Sequence, residues 1–248
     1  MAKSILVDAD TMLKQLTSET VKHSENLRES VRDITLKAFK TRELNLEQIK
    51  SVLHSVTEGV TLGAASPKIN TEKALTDAMH GMDDALRKAV QASRLALEQF
   101  NSQGKEFTDT HVKTAMHEMK RLEDEFFSTV KKASAGSGVQ MKSAWGDVLK
   151  HFKLAGTDAG HDAMDTLEDF TNRMNMTMHE TRMAGLKAAE TFSHNFSTLA
   201  SGILIGLSEA MDQKTEKMRA AMPKSETAAA AKPKAPAKPK AKPKAKKK

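Results

Sequence analysis

The stretch Met79-His-Gly-Met-Asp-Asp-Ala-Leu-Arg-Lys-Ala-Val-Gln-Ala-Ser-Arg-Leu-Ala-Leu-Glu-Gln-Phe100 decides the fold class. Within it Met79, Met82, Leu86, Ala89, Ser93, Ala96 and Phe100 follow one another at alternating steps of three and four residues. That period places them on one face of an α-helix, as a coiled-coil-type seam weakened by its Ala and Ser. Thr71 is placed to cap this helix, which is expected to reach about Asn101. At about 1.5 Å per residue it is roughly 45 Å long, so the body is expected to be elongated.

The same spacing recurs on both sides. Downstream, Val112, Ala115, Met119, Leu122, Phe126 and Val130 repeat the seam over about Asp109 to Ala133. Upstream, Met12, Leu13, Leu16, Thr20, His23, Leu27, Val31, Ile34 and Ala38 predict one first helix from about Ser4 to Phe39. Asn45-Leu-Glu-Gln48 is a capping-box-like start for a second helix, which carries Leu46, Ile49, Val52, Leu53, Val56 and Val60 and ends near Gly63. Ala64-Ala-Ser-Pro67 reads as a turn, because Pro67 disfavours helix at Ser66. Ser134-Ala-Gly-Ser-Gly138 is the clearest internal linker. It is followed by a short helix with Val139, Trp145, Val148, Leu149 and Phe152 on one side, and then by a break over Leu154–Gly160. From His161 to Met222 the 4–3 steps continue through Met164, Leu167, Thr171, Met174, Met178, Thr181, Gly185, Ala188, Phe192, Asn195 and Leu199, with a bend expected near Gly202 or Gly206. The expected organisation is therefore an N-terminal helical region over 1–133, a long-helix region over 139–222 and a tail over 223–248.

Composition agrees with helix over residues 1–222. The chain has 248 residues, no Cys, no Tyr and one Trp; five of its six Pro lie beyond residue 222. The lack of Cys excludes a disulfide scaffold, a thiolate metal centre and a thiol nucleophile. Charge is unevenly divided. Residues 223–248 hold ten Lys and one acid, a net +9, whereas residues 1–222 hold 29 basic and 31 acidic residues, a net −2. The tail's alternating Lys, Pro and Ala offer nothing to bury and repel one another, so a disordered, polyproline-like segment is expected. Three apolar residues before Asp8 are too few for a signal-peptide core. The nine-residue stretch Leu199–Leu207 falls short of the roughly 20 residues that a bilayer requires. A soluble cytoplasmic protein is expected.

Candidate chemistry is sparse. The nine histidines, His23, His54, His80, His111, His117, His151, His161, His179 and His194, form no i, i+4 pair and no HExxH, and are expected at solvent or between helices. Met174, Met176 and Met178 resemble a thioether clamp only if extended; on a helix Met176 points away from the other two. Gly136-Ser-Gly138 lacks the remainder of a phosphate loop. No catalytic residue, cofactor or metal is expected. Leu199, Gly202, Ile203, Leu204, Ile205, Gly206 and Leu207 form the most apolar stretch, assigned either to an apolar surface or to helix packing, with Gly202 and Gly206 marking a close helix crossing. Lys232, Lys234, Lys238, Lys240, Lys242, Lys244, Lys246, Lys247 and Lys248 are the polyanion-binding candidates. With no aromatic residue in the tail to stack on bases, binding to nucleic acid, polyphosphate or an anionic membrane surface is expected to be electrostatic and sequence-independent.

The tail Ala228-Ala-Ala-Ala-Lys-Pro-Lys-Ala-Pro-Ala-Lys-Pro-Lys-Ala-Lys-Pro-Lys-Ala-Lys-Lys-Lys248 is similar to those of bacterial histone H1-like proteins and of the nucleoid-binding phasins of polyhydroxyalkanoate granules. The Cys-free, Ala- and Met-rich amphipathic body resembles phasins more loosely. That resemblance implies a granule-surface protein whose helices coat an apolar surface and whose tail ties it to DNA. The alternatives are a nucleoid-associated DNA-binding protein with an oligomeric body, and a cytoplasmic coiled-coil scaffold. The expected fold is all-α, an elongated helical bundle or coiled coil that forms homo-oligomers.

Overall fold

In a computed structural model of the chain, residues 2–102, 109–177 and 196–209 are described. Among these residues every regular element is a helix, so the protein is all-α. The chain divides into a compact unit, Met1–Ser208, and a second unit, Glu209–Lys248. Seven helices are delimited: α1 (Ala2–His23), α2 (Leu27–Lys40), α3 (Leu46–Ala64), α4 (Thr71–Ser102), α5 (Asp109–Ser134), α6 (Val139–Ala155) and α7 (Asp158–Thr177). Residues 196–209 form a further helical segment.

The first expected helix is two. The chain leaves helix at Ser24-Glu25-Asn26, and α2 restarts with Asn26 as its flanking residue, whose Nδ2 donates to Glu29 at 2.7 Å. The hydrophobic steps run unbroken through His23 and Leu27, so spacing alone hides this break. Its purpose lies in direction. Ser51 Oγ donates to Asp10, Lys14 pairs with Glu58 at 2.9 Å, and Val21 lies against Gly63, so touching residues advance together and α1 runs parallel to α3. Connecting two parallel helices through α2 requires α2 to return along the bundle, where it packs on α4.

Helix α3 starts as expected: Asn45 Oδ1 accepts from Gln48 N at 2.9 Å. For α4 the expected cap is displaced by one residue. Asn70 Oδ1 accepts from Lys73 N at 3.0 Å, while the Thr71 hydroxyl donates back to the Ala64 carbonyl. Its seam residues Met79, Met82, Leu86, Ala89 and Ala96 are buried, but so are Leu75, Ala78, Ala85, Val90, Ala92 and Leu97. A narrow two-residue stripe cannot account for that. Helix α4 is enclosed by α2, α3, α6 and α7, which cover most of its circumference.

The expected domain boundary at 134–138 falls inside the first compact unit. Residues 135–138 are a tight turn, after which α6 packs back on α4 and α5 and α7 joins the same two helices. Trp145, Val148, Leu149 and Phe152 are buried on α6, and the fully buried Trp145 Nε1 donates to Thr61 Oγ1 at 2.9 Å. Val139, expected on the same side, is exposed because it opens the helix at the turn, beyond the neighbours that cover the rest of the face. Gly156, at φ +77°, ends α6 in a conformation that side chains disfavour. Buried threonines return their hydroxyls to the carbonyl four residues back: Thr17 to Leu13, Thr35 to Val31, Thr57 to Leu53. Apolar packing therefore proceeds around polar groups that are already satisfied.

Candidate functional site

Four of the apolar candidates in the stretch 199–207, Leu199, Ile203, Leu204 and Leu207, are used for packing, and Ile205 is half-buried. Leu204 and Ala200 are fully buried, Phe196 nearly so, and Leu199, Ile203 and Leu207 are half-buried against the core. Polar anchoring comes from Ser201, whose Oγ accepts from Leu44 N at 2.8 Å and lies against the carbonyls of Arg42 and Ser197. The segment thus docks on the turn between α2 and α3. Arg42 in that turn is itself held: its guanidinium donates to Asp10 at 2.5 Å and to Ser51 at 2.9 Å, joining α1, the turn and α3.

Gly202 and Gly206 do not mark a close crossing. Among the described residues a Cβ on either would meet nothing within 4 Å, and the helix runs through both. The close crossing is at Gly59-Val-Thr-Leu-Gly63, which has the same G-x-x-x-G spacing. A Cβ at Gly59 would lie 2.5 Å from the Lys14 carbonyl oxygen, and one at Gly63 would lie 2.5 Å from Val21 Cβ. Gly81 of α4 is pressed in the same way on the Arg28 carbonyl of α2. The spacing is visible in the sequence, but which pair is used depends on where helices cross.

One buried carboxylate has the attributes of a catalytic acid. Asp83 of α4 is only 4 % exposed, and burial pushes its carboxyl up to about 6, against the pull of two backbone amides. Those amides show its role. Asp158 N donates to Oδ2 at 2.9 Å and Ala159 N to Oδ1 at 3.1 Å, so Asp83 caps the start of α7 from a neighbouring helix. Glu123 of α5 completes the cap, accepting from the amide and hydroxyl of Thr157 at 2.8 and 2.9 Å, and Gly160 N donates to Thr157 Oγ1. The four amides that open a helix lack intrahelical partners, and here two acidic side chains from α4 and α5 supply acceptors. Arg87 reaches Asp162 at 2.7 Å and Arg94 reaches Asp169 at 3.3 Å, so both partners advance by one heptad and α7 runs parallel to α4. With both oxygens of Asp83 engaged by the main chain, the cluster is a docking device for α7.

His80 packs against Phe152, ring centroids 4.6 Å apart and planes tilted by 57°, and burial together with neighbouring Arg28 holds it below the usual histidine range. Among the described residues no three His, Asp or Glu converge as metal ligands would. Among them, too, no helix is long and apolar enough to cross a membrane. His179, His194, Met178 and the tail lysines Lys232, Lys234, Lys238, Lys240, Lys242, Lys244, Lys246, Lys247 and Lys248 lie outside the described residues. A protein-family profile described as a family of unknown function (DUF6781) matches residues 2–213, which takes in every helix above. No curated protein and no solved structure matches the chain.

Proposed function

The chain therefore belongs to the DUF6781 family, a membership that carries no activity, and we propose from its charge and packing that it is a non-enzymatic polyanion-binding protein. In this reading a folded helical body bears a cationic tail that binds the phosphates of DNA or polyphosphate. The observation that carries it is the division of charge, +9 over residues 223–248 against −2 over residues 1–222. The body's arginines support the division, since Arg28, Arg42, Arg87, Arg94 and Arg121 are each spent on a carboxylate. Lysines that neutralise phosphates release condensed counterions, with a salt slope of about −0.9 per contact on duplex DNA. Without aromatic residues the tail has no means of reading bases. The test compares the full chain with residues 1–222, which retain the whole packed unit, on two unrelated duplexes across a salt series. A large, salt-sensitive loss on removing the tail, equal for both sequences, is expected. Equal affinity with and without the tail overturns the reading.

A second reading, the phasin-like coat, draws on Met12 and Leu16 of α1 and Val139 and Leu154 of α6, all of which are exposed. It loses Leu204, the centre of the stretch that first suggested it, to the core. Residues 1–222 pelleting with polyhydroxybutyrate particles at high salt would favour the coat; their staying in solution removes it. Homo-oligomerisation would make the tails multivalent and raise avidity without any new contact.

A further inference from the structure

We infer that α6 and the last turn of α5 form a second, folded contact for duplex DNA, a lysine platform that works beside the tail; this inference rests on the polyanion reading above. Its basis is a charge segregation within the nearly neutral body. Between residues 126 and 157 the chain carries Lys131, Lys132, Lys142, Lys150 and Lys153 against one acid, Asp147. The next fifteen residues reverse the balance, with five acids and no Lys or Arg.

All five lysines are exposed, and no ion pair joins any of them to a described carboxylate. Their arrangement follows from the helix. Lys142, Gly146, Lys150 and Lys153 are spaced i, i+4, i+8 and i+11, which puts them along one side of α6. The adjoining face, about a quarter turn round the helix, is held in the core by Trp145, Val148, Leu149 and Phe152. Gly146 leaves open space in the middle of the row, with no atom of the described residues within 4 Å of where its Cβ would lie. Lys153 Nζ sits 5.4 Å from the centroid of Phe127 on α5, and Lys131 follows Phe127 by one helical turn. That geometry brings Lys131 to the α6 row. Exposed Asp147 on α6, Asp124 on α5 and Asp158 at the start of α7 are acids to set against these lysines.

The row from Lys142 to Lys153 is roughly 16 Å long. Over that length a duplex presents roughly nine phosphate charges. The helix is anchored by the Trp145–Thr61 hydrogen bond and by the tilted ring contact of His80 with Phe152, so its cations are presented on a rigid support. Less ordering entropy is then lost on binding than for lysines on a flexible chain.

The test uses three full-length proteins beside the wild type. One carries Lys131→Gln, Lys142→Gln, Lys150→Gln and Lys153→Gln; one carries glutamine at the ten tail lysines; the third combines both sets. Unchanged circular dichroism and thermal midpoint establish that the variants are folded, as expected for exposed side chains. Affinity for a short duplex is read between about 50 and 200 mM salt, with long-chain polyphosphate as a parallel probe. The platform variant is expected to bind DNA more weakly, its salt slope flattened by about 0.9 per lost contact, up to about 3.6. The tail variant should keep a residual salt-sensitive binding that the combined variant lacks. A platform variant with wild-type affinity and slope overturns the inference while the tail reading stands. Wild-type protein that ignores both DNA and polyphosphate overturns the tail reading itself. A platform effect on polyphosphate alone overturns the assignment to DNA.

Discussion

Two pairs of glycines with identical spacing should respond to alanine with opposite signs. Gly59 and Gly63 lie where α1 crosses α3, and Gly202 and Gly206 face open space on the 196–209 helix. In each case alanine favours helix over glycine by about 1 kcal/mol. At Gly202 or Gly206 no other change enters, so stability should rise by roughly that amount. At Gly59 the new methyl would lie 2.5 Å from the Lys14 carbonyl oxygen and 2.6 Å from Thr17 Cβ; at Gly63 it would lie 2.7 Å from the Ser18 carbonyl oxygen. An ordinary contact is 3.4 Å or more, so about 1 Å of separation is demanded, and backbone oxygens cannot rotate out of the way. Overpacking of this kind costs about 1–3 kcal/mol, and α1 would be pushed away along its buried face. Gly59→Ala and Gly63→Ala are thus expected to be net destabilised by up to about 2 kcal/mol. For a body of this size each kcal/mol moves the thermal midpoint by about 2–4 °C. Calorimetry on the four single variants should show the midpoint falling for Gly59 and Gly63 and rising for Gly202 and Gly206. Four shifts of the same sign would refute the assignment of the crossing.

The cap on α7 sets a pH dependence. Asp83 holds its proton up to about pH 6 when folded but only to about 3.8 when unfolded, so stability falls as pH rises between those values and then levels off. The fall amounts to about 3 kcal/mol. Asp83→Asn cannot ionise, and its stability relative to wild type should therefore improve by about that much between pH 4 and 7 in urea titrations. Parallel profiles would show that Asp83 does not titrate between folded and unfolded states. Leu204→Ala empties a fully buried site on the 196–209 segment and should cost about 2–5 kcal/mol. A loss below about 0.5 kcal/mol would mean that the segment is not docked. Ser201→Ala leaves the amide of Leu44 without its acceptor and should cost about 1–3 kcal/mol, with faster hydrogen exchange at Leu44.

Helix existence was legible because burial repeats at three and four residues, and local ends were legible where the signal is local. Asn45 binds the amide of Gln48, three residues on, and Gly156 adopts a positive φ that its type favours. What could not be read depends on partners distant in the chain. Ser24-Glu25-Asn26 reverses direction without disturbing the hydrophobic period, so α1 and α2 read as one helix. Asp83 looks like any acid on a charged helix until the amides of Asp158 and Ala159 are placed against it. The two G-x-x-x-G pairs are indistinguishable by spacing, and only the course of α1 selects Gly59 and Gly63. Lysines 131, 142, 150 and 153 were diluted in a body-wide charge count that hid their segregation. Their common side emerges once Trp145 and Phe152 fix which face of α6 is inward.

The docking of Ser201 on residues 42 and 44 sets an order of events during synthesis. The α2–α3 turn emerges early from the ribosome, but the hydroxyl that meets its Leu44 amide is made almost 160 residues later. Helix α7 likewise finds its acceptor on α4 about 75 residues after Asp83 was added. At about 5–20 residues per second, the first of these gaps leaves the early helices waiting roughly 8–30 s for their last cover. The nascent body must therefore remain unaggregated with its Leu204-binding face bare for that interval, a vulnerability confined to translation and absent from the finished chain.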